Sequence, residues 1–146
     1  MKYVLDANLY IRAFRNEADA RELEAFYAAF IPVTWLSSIV VHELLVGATT
    51  PAKARDIRDS IVRPLQRTRR IFTPSHAAWD MSGDAIARMV RSRHRELRTL
   101  PKSLIHDYLL AASCREAGVT LITENLADFE EIRRYIKFEF RAPWPS

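Results

Sequence analysis

Four acids in this sequence stand where apolar residues are expected. Asp6 ends the run Tyr3-Val4-Leu5 in "KYVLDANLYI", and Glu43 lies inside "SSIVVHELLVG", flanked by Ile39, Val40, Leu44 and Val46. Asp107 lies inside "SLIHDYLLAA", and Asp128 closes the polar part of "LITENLADF". Burying a carboxylate without a partner is costly, and no Lys or Arg adjoins any of the four in sequence. Each has an ordinary structural reading. Asp6 can cap the turn into a following helix, Glu43 and Asp107 can be ion-paired across a core, and Asp128 can face solvent. One cation accounts for all four together. Hard divalent ions such as Mg²⁺ or Mn²⁺ take oxygen ligands and keep several waters. A carboxylate cluster in a basic chain also suits metal-assisted phosphodiester cleavage, with arginines drawing in the polyanion.

The elements that must position these acids alternate between strand-like and helix-like. Lys2–Asp6 reads as a first strand and Ala18–Phe30 as a helix with Leu23, Phe26, Tyr27 and Phe30 on one stripe. Val33–Leu36 is a second strand. Ser37 or Ser38 caps a helix over Ile39–Val46, with Gly47 as its stop. Pro51 and Pro64 bracket a further helical segment, and Ile71–Thr73 is a third strand. Ala77–Leu97 reads as one long amphipathic helix, and Ser103 caps a helix that runs to Ala117 and stops at Gly118. Val119–Thr123 is a fourth strand, Leu126–Arg133 a short helix, and Ile136–Phe140 a possible fifth strand. This alternation predicts an α/β domain over residues 1–146, with a mostly parallel central sheet of four to five strands and helices on both faces. Asp6 and Thr123 then fall at carboxyl ends of strands, where ligands bind in open α/β sheets.

A chain of 146 residues with 49% hydrophobic and 27% charged content fits one folded domain rather than a disordered segment. No apolar run approaches the ~20 residues of a membrane span. There is no signal-peptide pattern, and a single cysteine, Cys114, cannot form an internal disulfide. These features predict a reduced, cytoplasmic setting without membrane association. The formal charge is +4, and the basic residues cluster. One group is Arg63, Arg67, Arg69 and Arg70. In the other, Arg88, Arg91, Arg95 and Arg98 share one face of an extended helix. That stripe is either a solvated face or a phosphate-binding surface, since guanidinium forks match phosphate oxygens. The Arg91–Pro101 stretch is the best candidate for a mobile loop.

The ordered set "LDAN", "ELLVGA", "DYLLAA" and "LITENLADF" resembles the PIN-domain ribonucleases across the whole chain. Within them it is most similar to the VapC-type toxins of bacterial and archaeal toxin–antitoxin pairs. The most specific part is Thr123-x-Asn125-x-x-Asp128-Phe129 placed after Asp107-x-x-Leu110-Ala111-Ala112. The resemblance implies a Mg²⁺- or Mn²⁺-dependent endoribonuclease with Asp6, Glu43, Asp107 and Asp128 as metal-binding acids. It implies that Asn8, Thr123 and Asn125 position acids, water or substrate. It also implies an RNA substrate, a homodimer and a small VapB-like antitoxin. Ala7 departs from the pattern, since a hydroxyl residue is common there.

Other chemistries fit less well. A haloacid-dehalogenase-like Mg²⁺-dependent phosphatase needs a second Asp where Asn8 stands. A phosphate-receiver domain needs a paired acid and a late Lys. Three glycines make no phosphate loop, the four histidines show no H-E-x-x-H spacing, and there is no G-x-S-x-G. A non-catalytic RNA-binding or regulatory α/β protein remains the alternative from a different class, against which the intact set of four acids argues. His106 beside Asp107 can touch substrate or pack. Trp35, Trp79 and Trp144 read as core or interface.

Overall fold

The computed structural model describes residues 1–145. Five strands pair in parallel throughout, in the order β3-β2-β1-β4-β5. They are β1 (Tyr3–Leu5), β2 (Thr34–Ser37), β3 (Ile71–Phe72), β4 (Thr120–Ile122) and β5 (Phe140–Arg141). Successive side chains of a strand point to opposite faces. Yet Tyr3, Val4 and Leu5 are all buried, as are Thr120, Leu121 and Ile122. Both faces of the central sheet are therefore covered, as parallel sheets require.

The chain order reverses between β1 and β4. Strands β1, β2 and β3 step outward on one side, and β4 then returns to pair on the other side of β1. Such a switch point opens a crevice at the carboxyl ends of the strands. Leu5 pairs with Ile122, so Asp6 and Thr123 are the first residues past each strand on either side of that crevice.

The helices are α1 (Ala7–Arg15), α2 (Glu17–Phe30), α3 (Ser38–Val46), α4 (Pro51–Ile57), α5 (Arg63–Arg67), α6 (His76–Arg93), α7 (Lys102–Ala117) and α8 (Leu126–Arg133). A π-helical turn, Arg58–Val62, separates α4 from α5. Pro64 explains it, because proline has no N–H to continue the i→i−4 ladder. The centre of α7 is buried all round, from Tyr108 to Cys114, as a helix threaded through a core must be. Phe26 of α2 packs edge-on to Tyr3 of β1, with ring centroids 5.8 Å apart. Trp144 covers Phe26 from outside and donates to Glu22 Oε2. Trp35 is half-buried under Lys2, while Trp79 is exposed. No helix among the described residues is long and apolar enough to cross a membrane.

Several boundaries differ from the sequence reading. Helix α1 follows β1 without a break; Asp6 caps it, as one reading of that residue allows, but the sequence reading assigns Ala7–Arg15 to no element. The long amphipathic helix ends at Arg93, where His94 takes a left-handed conformation (φ 54°). Arg95 and Arg98 therefore leave the face that carries Arg88 and Arg91, and the four do not form one helical stripe. The loop between α6 and α7 contains a 3-10 turn, Leu97–Thr99. Helix α7 begins at Lys102 after Pro101, without a side-chain cap, so Ser103 lies inside its first turn. Of the two serines before α3, Ser37 is the cap and accepts from the Ile39 N–H at 3.1 Å. The last strand starts at Phe140, later than the Ile136–Phe140 run, because Tyr135 and Ile136 close a turn onto Ile132 O.

Candidate active site

Asp6 links the sheet to α1. Its backbone N–H donates to Ile122 O at 3.0 Å, continuing the β1–β4 ladder one step. Its Oδ1 accepts from the Ala7 N–H at 2.8 Å, which caps α1. Its Oδ2 accepts from Thr123 Oγ1, also at 2.8 Å. Thr123 is fully buried, and its hydroxyl oxygen accepts from the Asn125 N–H at 3.0 Å. Asn125 Nδ2 in turn donates to Asp128 Oδ2 at 2.9 Å, in the first turn of α8. One chain of hydrogen bonds thus runs from the end of β1, across the switch point, to the start of α8.

Glu43 on α3 and Asp107 on α7 approach the same region. Burial raises the Asp6 carboxyl above its ordinary range, against the pull of the Thr123 and Ala7 hydrogen bonds. Burial first, then the Asp6 charge, pushes Glu43 up to about 7. Asp107 is raised further, to about 8, by burial and then by Asp6, Glu43 and Asp128 in that order. Asp107 therefore lies within electrostatic reach of the other three acids, whose charges oppose its ionisation, as the Asp6 charge opposes that of Glu43. The nearest basic group to Glu43 is an imidazole, with His106 Nδ1 3.7 Å from its Oε1. His106 also meets His42 edge-on, with ring centroids 5.9 Å apart. Among the described residues no Lys or Arg forms an ion pair with any of the four acids.

The remaining expectations divide. Thr123 and Asn125 join the network, whereas Asn8 is exposed in the first turn of α1 and takes part in no side-chain hydrogen bond among the described residues. Ala7 is buried, so the place where a hydroxyl is common in the family holds a methyl group against the core. Sequence reasoning missed Arg12 and Glu124. Arg12 Nη1 donates to Glu124, which stands between Thr123 and Asn125, and Arg12 Nε donates to Asp19 Oδ2 at 3.3 Å. Glu124 inside the T-x-N motif was the available signal, but its partner lies across the chain.

The donor set suits a hard divalent cation. It offers carboxylate oxygens on the buried Asp6, the half-buried Glu43 and Asp107 and the solvent-facing Asp128, with like charges unrelieved by a Lys or Arg side chain among the described residues. No three His, Cys, Asp or Glu side chains among the described residues converge tightly enough to coordinate an ion together. An ion held here would take few direct carboxylates and keep waters, the habit of Mg²⁺. Cys114 is buried near Asp6, and both effects raise its thiol far above the usual range. It is therefore an inert core residue rather than a nucleophile or ligand.

Of the arginines, Arg88 pairs with Asp84 and donates to Tyr135 O, Arg93 pairs with Glu131, and Arg98 pairs with Glu96. Arg91 and Arg95 are exposed and make no ion pair among the described residues. In the other cluster Arg63 pairs with Asp59, and Arg70 donates to Ile31 O.

Comparison with known proteins gives one family and one fold. The family model described as PIN domain matches residues 3–135. Among solved structures, DNA-bound VapBC from Salmonella typhimurium superposes with a TM-score of 0.70 at 20% identity, covering 97% of this chain and 98% of that one. FitAcB from Neisseria gonorrhoeae gives 0.69 at 18% identity, covering 99% of each chain. VapBC-1 from nontypeable Haemophilus influenzae gives 0.64 at 20% identity, covering 97% and 98%. No curated protein matches.

Proposed function

This chain belongs to the PIN-domain family, and from that premise we propose that it is a Mg²⁺- or Mn²⁺-dependent endoribonuclease, the toxin of a VapBC-type toxin–antitoxin pair. We read all of residues 1–146 as that one domain. The observation that carries the proposal is the hydrogen-bonded chain from Asp6 through Thr123 and Asn125 to Asp128 at the switch point of the sheet, with Asp107 near enough to Asp6, Glu43 and Asp128 for their charges to raise its carboxyl. A divalent ion at these acids would supply the missing positive charge, polarise the phosphodiester and lower the pKa of a nearby water.

The chain's own residues would have distinct tasks. Asp6, fixed by the Ala7 N–H and the Thr123 hydroxyl, holds one carboxylate in a single orientation. Asp107 and Glu43 supply further oxygens, with Asp128 held in reach by Asn125. Burial and the Asp6 charge raise the Glu43 carboxyl, and a divalent ion held at these acids would favour its ionised form. Exposed arginines outside the pocket hold flanking RNA phosphates, which position without selecting sequence.

Because the sequence resembles VapC-type toxins, a small antitoxin is the partner we propose for this chain. A cleft of about 370 Å³ between α1, α3 and α4, lined by Ile11, Phe14, Leu44 and Ile57 together with the charged Arg15, Lys53 and Asp56, suits a segment that carries both apolar and charged side chains. We also propose a homodimer. Light scattering at micromolar concentration giving a strict monomer, alone and with the neighbouring gene product, would refute it.

The test of the activity is direct. Purified protein is incubated with RNA in Mn²⁺, in Mg²⁺ and in EDTA, and products are resolved by length. Cleavage in either metal that EDTA stops is the expected result. EDTA-resistant cleavage would overturn the mechanism, and binding of RNA without cleavage in either metal would favour a non-catalytic RNA-binding protein.

A further inference from the structure

The loop that carries Thr123 and Asn125 is fastened to α1 at two points. The first is the bond from Thr123 Oγ1 to Asp6 Oδ2. The second is the ion pair of Glu124 with Arg12, farther along α1 by about 9 Å of helical rise. Arg12 is itself fixed from its other side, where Nε and Nη2 reach the two carboxylate oxygens of Asp19 at 3.3 and 3.4 Å. Asp19 belongs to the first turn of α2, whose N-cap Asn16 accepts from the Asp19 N–H at 2.8 Å. The guanidinium is thus held in place by α2 and presented to the loop.

We propose that Arg12 and Glu124 are positioning residues of the acid site, setting the angle at which the loop delivers Asp128 to Asp6. This rests on the nuclease reading above. The Thr123 N–H is also held by Arg141 O at 3.0 Å and Phe129 is fully buried. That leaves the largely exposed stretch from Glu124 to Asp128 to shift between those two holds, and the second anchor limits that shift. The loop leads straight into α8, whose first turn carries Asp128 bonded to Asn125. Such a shift therefore moves Asp128 relative to Asp6 while the Thr123 bond survives. The side chains of Arg12 and Glu124 are 43% and 46% exposed. An ion pair this open contributes little to stability, so its effect is on geometry. Neither residue is expected to touch the reacting phosphate.

The experiment compares wild type with Arg12→Ala, Glu124→Ala, Glu124→Gln and the Arg12→Ala/Glu124→Ala double variant. Asp59→Ala, which breaks the other exposed pair with Arg63, is the control. Amide hydrogen exchange is followed by NMR at Asn125, whose N–H donates to Thr123 Oγ1, and kcat and KM are measured on one RNA. Either single alanine variant should speed Asn125 exchange about tenfold and lower kcat about 10- to 100-fold, with KM nearly unchanged. The double variant should be no worse than the worse single. Melting temperatures should stay within about 3 °C of wild type, and Asp59→Ala should change neither readout. Glu124→Gln keeps the length and an acceptor oxygen, so it should fall between wild type and Glu124→Ala. Unchanged Asn125 exchange in both single variants would overturn the proposal. So would unchanged kcat, or losses that multiply in the double variant. If wild type cleaves no RNA, the nuclease reading fails, and the exchange rates alone decide whether the clamp exists.

Discussion

Thr123 Oγ1 donates to Asp6 Oδ2 at 2.8 Å across the switch point of the sheet, and the same oxygen accepts the Asn125 amide at 3.0 Å. One buried hydroxyl thereby orients an acid and closes a loop. Thr123→Val keeps the shape and removes both bonds, leaving a buried carboxylate oxygen and a backbone N–H without partners. The expected loss is about 1–3 kcal/mol, read from urea unfolding in EDTA. Thr123→Ser keeps the hydroxyl and should recover most of it. Thr123→Val as stable as wild type, with the loss confined to Thr123→Ser, would mean that the methyl packing, not the hydroxyl, matters at this position.

The raised carboxyls make metal-free stability depend on pH. Unfolded, Glu43 and Asp107 titrate near their ordinary 4.5 and 3.8, and folded they titrate near 7 and 8. Between those limits the folded protein holds protons that the unfolded chain has released. Their contribution to stability is therefore full below about pH 4 and lost as pH rises to about 8. In EDTA the wild-type melting temperature should fall across this window relative to a Glu43→Gln/Asp107→Asn variant. Added Mn²⁺ should raise melting more at pH 8 than at pH 5, since the ion needs deprotonated ligands. A wild-type curve parallel to that of the variant would contradict this.

Asp107→Asn separates a metal ligand from a buried ion-pair partner. As a member of a like-charged cluster, the substitution relieves repulsion and should leave EDTA stability unchanged or higher, by about 1 kcal/mol. Breaking a buried ion pair would instead cost roughly 3–5 kcal/mol. The absence of any Lys or Arg paired with Asp107 among the described residues favours the first outcome. Calorimetry in EDTA decides between them.

Arg91 and Arg95 are the arginines of the second cluster free to meet phosphate. If they hold RNA, an Arg91→Ala/Arg95→Ala variant should bind many RNAs more weakly by a similar factor. Its log affinity should also fall less steeply with log salt, by roughly 0.7 per lost contact on a single strand. Arg93→Ala should instead act on the α6–α8 packing through Glu131. A salt slope equal to wild type would make the exposed pair a solvated surface.

What the sequence discloses follows from burial. Glu43 and Asp107 stand out because their helices are apolar around them, and a charge in that setting is visible without coordinates. The alternation of short apolar runs with longer periodic ones likewise specifies a parallel sheet. Of helix α1 only the cap is legible: Asp6 is both the start signal of the helix and a member of the acid cluster, and the sequence reading assigns Ala7–Arg15 beyond it to no element. The end of α6 was hidden because His94 adopts a left-handed conformation that only glycine or asparagine would advertise. The Arg12–Glu124 anchor joins residues far apart in the chain, and neither local periodicity nor charge spacing encodes such a pair.

The most direct measurement of the central claim is the rate of RNA cleavage as a function of Mn²⁺ concentration, for wild type and for Asp107→Asn, each shown to be folded by circular dichroism. Wild type should be silent in EDTA and rise to a plateau with added Mn²⁺. Asp107→Asn should be slower by about two orders of magnitude or more at every concentration, as expected when a group stabilising the transition state is lost. Cleavage by folded Asp107→Asn at the wild-type rate, or cleavage by wild type that persists in EDTA, would contradict a metal-dependent site built on these four acids.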